Sequence, residues 1–468
     1  MRRASGTRVP NAHASAPGGR GHARISCIRG PNSPVSPSSG RECTKFLAGQ
    51  EDKRGPGTLS RTHHPHPRGP RRKEAPLGTV IICERSALLW WRTPPVVRWL
   101  LAVETPEEPD LLLDPHDVDR AQAGSARELT LWREAVLSGR RGRPLSSASA
   151  DGIFAALDRI ATSVEAPVDV LVTSSSERRD SSLVRPHVWS DDLPEGSVVQ
   201  VGRDLWATSP AFSLLMLARR LPLARVAMLA TELCGCFSTY EPPRAVRELL
   251  EEQHAEGTLV RMGAWSPSFD GSGRLTGVWS RPAPVRPGEL AGLARACAGK
   301  RGSRRLADAA ALVVPGAASP LEARTGILLG WPRRRGGEGL GGFAHNARVE
   351  LSEPAQALAR RRSCYCDLLW PAADGHRALD LECQSATFHA SAQGHLDDTD
   401  RTAALQLMGI DVVGATHAQL ADEARFDALA ELVATRLGRT RPTRSEALVA
   451  ARRELRAEVL ADWESLPG

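Results

Sequence analysis

No lysine follows Lys300, so any chemistry in the last third of the chain proceeds without an ammonium side chain. No run is long and apolar enough for a transmembrane helix: the best candidate, Ala87 to Val103, is interrupted by Arg92, Pro94, Pro95 and Arg98. A signal-peptide apolar core is also missing, and nine Cys without a secretory signal point to a reducing compartment. A soluble, cytoplasmic protein is the expectation. Finally, the first 76 residues have almost no periodic apolar pattern. Rich in Gly, Pro, Ser, His and Arg, they cannot repay the entropy of ordering.

What is present divides the chain unevenly. Residues 1–76 hold fifteen Lys/Arg and four Asp/Glu, a net of +11, and subtracting that from the chain's +7 leaves −4 for residues 77–468. A basic tail therefore accounts for the overall sign. It reads as a nucleic-acid-binding arm, a targeting segment, or the product of a start assigned too far upstream; the last is favoured, because folded-looking sequence begins abruptly at Gly78-Thr79-Val80-Ile81-Ile82. Local basic clusters remain at 300–305, 333–335 and 360–362, where a DNA backbone could be met or where the charge is simply solvated. Cys234-x-Cys236 and Cys364-x-Cys366 could be imagined as one zinc site, but the spacing is short of the usual two to four intervening residues and buried thiols are the plainer reading.

The most informative stretch is Cys366-Asp367-Leu368-Leu369-Trp370, followed by Leu379-Asp380-Leu381-Glu382-Cys383-Gln384-Ser385 and His389. Two strand-like runs, each with an acid, flank a turn of the Asp374-Gly375 type, which is how a hairpin sets two carboxylates side by side. Such a pair suits Mg²⁺, a hard cation that takes oxygen ligands and one or two protein carboxylates. A helix start precedes it at Ser319-Pro320-Leu321-Glu322, with Ser as N-cap, Pro at the first helical position and Glu closing a capping box. A strand is expected near Ala347–Glu350, a helix from Asp398 to Met408 with acids in its first turn, and a buried strand at Ile410–Val413.

This string resembles the restriction-endonuclease-like, or PD-(D/E)XK, nucleases, and most closely their Vsr-like branch. Asp367, Glu382, Gln384-Ser385, His389, Asp398-x-x-Arg401, Leu405 and Gly409 fall in that branch's order, with Gln384 where it carries an acid. The resemblance implies an αβββαβ core, Mg²⁺ held by Asp367 and Glu382, Gln384 orienting water, and His389 as acid, base or phosphate contact. It also implies an acid on the first helix near the metal, which would be Glu322; the alternative is that Glu322 only caps its own helix. Arg401 faces either a phosphate or a neighbouring acid. A Gln can position water by hydrogen bonding but cannot take its proton, so the missing acid at 384 weakens the case for catalysis.

Upstream, a strand turning into a helix is read at Val80–Trp99, a helix at Asp151–Leu157, strands at Val168–Val172, Val184–Trp189 and Ser197–Val201, and helices after Ser209-Pro210 and over Leu223–Leu233. Ser86-Ala87-Leu88, the strand ending near His187, Leu193-Pro194 and Thr208-Ser209-Pro210 before an apolar helix are similar to AbiEi-type antitoxin regulators over about residues 80–240. His187 is a site residue or, more plainly, a satisfied structural one. Glu232 to Phe237 reads as a close packing contact, 257–287 as a long loop, 288–298 and 303–314 as helices, and 421–437 and 444–463 as amphipathic helices.

The expected architecture is mixed α/β: a disordered basic tail (1–77), an AbiEi-like α/β region (78–300), a restriction-endonuclease-like domain (301–440) and a C-terminal helix (441–468). Three functions compete: a metal-dependent DNA endonuclease, a catalytically degenerate DNA-binding regulator of toxin-antitoxin type, and a protein-interaction module on the same scaffold.

Overall fold

The computed structural model describes residues 80–101, 167–178, 184–202, 205–259, 262–373, 375–384 and 392–467. The expected tail, the helix at Asp151–Leu157 and His389 lie outside them. Within them the chain is mixed α and β, built on three sheets. No helix there is long and apolar enough to cross a membrane.

The first sheet is built from β1 (Val80–Ile82), β2 (Val168–Val172), β3 (Val184–Val188), β4 (Val198–Gln200) and β5 (Leu205–Thr208), in the order β3-β2-β1-β5-β4. Helices α1 (Glu84–Arg92) and α2 (Pro95–Leu101) follow β1, while α3 (Pro210–Leu217) and α4 (Leu223–Leu233) follow β5. Ser209 caps α3 through its hydroxyl, with Pro210 in the first turn as its rigid φ favours.

A correction concerns residues 257–287, expected as a loop. After β6 (Phe237–Thr239) and α5 (Arg244–Glu256), strands β7 (Ser266–Phe269) and β8 (Leu275–Ser280) form a hairpin, and β8 also pairs with β6. Its Gly, Ser and Pro content hides an alternation in which Leu275 and Trp279 are buried. The turn closes on Asp270 Oδ1, which accepts from the backbone N–H groups of Ser272 (2.8 Å) and Arg274 (3.0 Å).

Helices α6 (Pro287–Ala296) and α7 (Ser303–Leu312) lead to α8 (Pro320–Gly330), capped by Ser319 as its sequence anticipates. Next come β9 (Ala344–Glu350), α9 (Glu353–Ala359), β10 (Ser363–Trp370), β11 (Ala378–Gln384), α10 (Ala392–Leu407) and β12 (Ile410–Thr416). The sheet order is β12-β11-β10-β9, antiparallel except for the parallel β11–β12 pair, which α10 connects as a crossover helix must. Helix α9 is an addition to the expected αβββαβ order. Helix α10 begins at Ala392 rather than Asp398, so its acids occupy its middle and not its first turn. The chain ends with α11 (His417–Ala421), α12 (Glu423–Arg436) and α13 (Glu446–Val459).

One apolar core joins α3 and α4 (Phe212, Leu229) to α8 (Leu328), β11 (Leu381), α12 (Phe426) and the terminal Trp463. One close approach is at Gly235, where an added Cβ would stand 2.5 Å from Ala317 O and 2.7 Å from Thr231 O. Gly235→Ala is therefore expected to cost about 1–3 kcal/mol, read as a lower urea midpoint, because both obstacles are backbone and cannot rotate away. An unchanged midpoint would mean the 231–235 turn relaxes freely.

Candidate functional site

The two strands carrying Asp367 and Glu382 part where the acids stand. Their last paired positions are Leu368 with Leu381, and the next backbone donor of β11, the Cys383 N–H, donates instead to Asp367 Oδ2 at 2.7 Å. On the other side of β10, the ladder to β9 is distorted at the same level. Asn346 has a left-handed φ of 48°, and His345 Nδ1 lies 3.2 Å from the Asp367 carbonyl. Cys364 and Cys366 pack with α9 and α10, whereas Leu368 and Trp370 pack with α8, so the two-residue alternation of a strand inverts across Asp367. The sheet thus opens at its middle, with a carboxylate tying the opening.

Three further acids meet there. Glu382, its side chain 15% exposed, lies against the Arg401 guanidinium of α10 without a directed hydrogen bond to Oε1. Glu322, in the first turn of α8, accepts from the Ala318 N–H at 2.7 Å. It serves as a cap and also faces Asp367 and Glu382, whose charges act on it. Asp380 is fully buried on β11, and its hydrogen-bonding neighbours are the Glu382 carboxyl and the weak Cys366 thiol rather than any amide or guanidinium donor.

This crowding shows in the protonation. Burial, with Asp367 and then Glu382 adding like charge, pushes Glu322 up to about 8. Burial and the Glu382 charge push Asp367 up to about 7, although the Cys383 N–H and Arg401 act in the other direction. Burial, followed by Glu382, pushes Asp380 up to about 10. Each folded value lies above the unfolded one, so the folded chain holds more protons than the unfolded chain between about pH 4 and the raised values. The contribution of these acids is then fully present below about pH 4 and is lost as pH rises through 7 to 10. In EDTA the melting temperature is expected to fall from pH 5 to pH 8.5, and Glu322→Gln with Asp367→Asn should flatten that slope. An equally steep fall in the double variant would place its origin elsewhere.

The other expected residues fall as follows. Gln384 is exposed at the end of β11, its side chain over Gly414, where an added Cβ would meet its Cδ at 3.4 Å. Arg401 contacts an acid, Glu382. His389 and Ser385 lie outside the described residues. His187 is elsewhere, in the first sheet, with Nε2 2.7 Å from Asp169 Oδ1 and Nδ1 3.0 Å from Glu84 Oε1. Burial opposes its charge, but the two carboxylates prevail and raise it to about 9, as for an imidazolium held between β2 and the start of α1. Asp380 escaped the sequence reading, although an Asp inside the buried run Ala378-Leu379-Asp380-Leu381 was a visible signal.

Among the described residues, no three His, Cys, Asp or Glu side chains are arranged to hold a metal ion as they stand. The donor set is nevertheless chemically suited to a hard cation: carboxylates on adjoining strands, with the buried oxygens of Asp380 receiving no amide or guanidinium donor. Compared with family models, curated proteins and solved structures, the chain matches none.

Proposed function

We propose that this chain hydrolyses phosphodiester bonds in DNA with a divalent cation, through a restriction-endonuclease-like, Vsr-related core formed by α8, β9–β12 and α10. The observation that carries this reading is the excess of carboxylate at the opening of the β10–β11 ladder. Asp367, Asp380 and Glu382 all attract the guanidinium of Arg401, and Glu322 stands against Asp367 and Glu382 with no cation among the causes that set its protonation. Burial pushes Glu322, Asp367 and Asp380 toward their protonated forms, and a bound cation would take the place of those protons.

Asp367 and Glu382 would hold the ion, Mg²⁺ by preference, which when bound supplies Lewis-acid stabilisation and a more acidic water. Gln384 can orient that water through its amide but leaves the proton to another acceptor. Arg401, once free of Glu382, is placed to face a phosphate oxygen as a forked donor. The full chain with MgCl2 or MnCl2 is expected to nick plasmid DNA and to stop doing so in EDTA. Cleavage that ignores EDTA would defeat the proposal.

A second reading is favoured by the Arg401–Glu382 contact together with the uncharged Gln384: a DNA-binding regulator of the AbiEi type whose nuclease-like part has lost its chemistry. It expects salt-sensitive DNA binding that needs no divalent ion and survives Glu382→Ala. Absence of DNA binding at low salt would count against both.

A further inference from the structure

The strand that carries Glu382 has a second acid that the pair Asp367 and Glu382 leaves unexplained. Side chains two residues apart on a strand share a face, so Asp380, Glu382 and Gln384 form one row on β11. Gln384 marks the exposed end of the row, Glu382 its partly covered middle and Asp380 its buried floor. Asp380 sits in register with Leu369 of β10 and Val412 of β12, a central position that an apolar residue ordinarily fills. Its polar surroundings are the Glu382 carboxylate and the Cys366 thiol, with Asp367 and Arg401 farther off. Neither Asp380 oxygen receives a hydrogen bond from an amide, guanidinium or hydroxyl donor; its partners are the weak Cys366 thiol and the Glu382 carboxyl, with which it is close enough to share a proton where a cation could bridge the two. An acid in the middle of a sheet whose partners are a thiol and a second acid is an expensive residue, and buried carboxylates that persist are paired or coordinate metals.

We propose that Asp380 is a third oxygen donor of the divalent-cation site, lying beneath Asp367 and Glu382. The inference rests on the reading above that these acids hold a cation. Arg401 and the ion are alternatives at Glu382, because the guanidinium now lies where positive charge is wanted. When the ion takes Glu382, Arg401 withdraws and Asp380 completes an all-oxygen set with Asp367, the ligand type that hard cations select. As they stand, no three such donors converge among the described residues, so binding would also require Asp367 and Asp380 to draw together around the ion.

The test is calorimetric titration of MnCl2 into the full chain, its Asp380→Asn variant and its Asp380→Ser variant, without DNA and at fixed pH. Asparagine keeps the shape of the side chain and can donate to Glu382. Serine removes the carboxylate with less bulk, and the melting temperature in EDTA identifies which variant remains folded and is to be read. Wild type is expected to bind Mn²⁺, and the folded variant to bind it at least about tenfold more weakly, as loss of one charged donor implies. Mn²⁺ affinity equal to wild type overturns the role of Asp380 and leaves Asp367 and Glu382 standing as the site. No Mn²⁺ binding by wild type overturns both.

Discussion

Glu382→Ala is expected to reduce cation-dependent nicking by at least about a hundredfold, and Asp367→Asn to do nearly the same. The magnitude follows from position: changing a group that merely supports a metal ligand costs about 10- to 100-fold, and loss of a ligand itself costs more. The fold should survive both changes. Glu382 is partly exposed, and Arg401 retains the attraction of Asp367 and Asp380 once Glu382 is gone. Asp367→Asn keeps an oxygen that can accept from the Cys383 N–H, so the tie across the strand opening persists while a cation ligand loses its charge. Glu322→Gln is the useful contrast. Its carboxylate also receives the Ala318 N–H, a helix-start role an amide oxygen can fill, so a smaller loss is expected there. Wild-type nicking by Glu382→Ala would place the activity outside these acids. DNA binding without any nicking, equal in wild type and variant, would favour the regulator.

How legible this was in the sequence depends on the range of the signal. Helix α4 runs from Leu223 to Leu233 and β2 from Val168 to Val172, as their apolar patterns foretell; the Ser319 and Ser209 caps also stand where expected. These are local signals, set by a few neighbouring side chains. The hairpin of β7 and β8 was obscured because Gly and Pro content suggests loop even where alternate residues are buried. Helix α9 had its signal in Ser352-Glu353-Pro354, a cap followed by a proline tolerated in the first turn. At the site, Asp367 and Glu382 were readable because a short hairpin joins them. Asp367's hold on the Cys383 N–H, Arg401's contact with Glu382 and His187's engagement by Glu84 and Asp169 were not, since each depends on how separate elements dock.

The largest effect on stability is expected at Glu232, far in sequence from the acids of β10 and β11. On α4, with 1% of its side chain exposed, it accepts from Arg92 Nε (2.9 Å) and Nη2 (2.5 Å), from the Trp463 indole (2.8 Å) and from the Thr239 N–H (3.4 Å). One carboxylate therefore joins α1, α4, β6 and the end of the chain. Glu232→Ala leaves the buried Arg92 guanidinium without a counter-ion and the buried Trp463 indole without an acceptor. Removing one partner of a buried ion pair costs about 3–5 kcal/mol, a large part of the stability of an ordinary domain. The Arg281 guanidinium lies close by, donating to the Glu232 carbonyl at 3.0 Å, and burial already lowers it to about 10. A second unbalanced cation therefore makes the loss worse. Arg92→Met combined with Glu232→Leu should recover much of it, because apolar replacements need no partner. Urea unfolding of the single and double variants measures both effects. A single-variant loss below about 1 kcal/mol would mean that water reaches Arg92 and Trp463, and that this network does not join the N-terminal helices to the end of the chain.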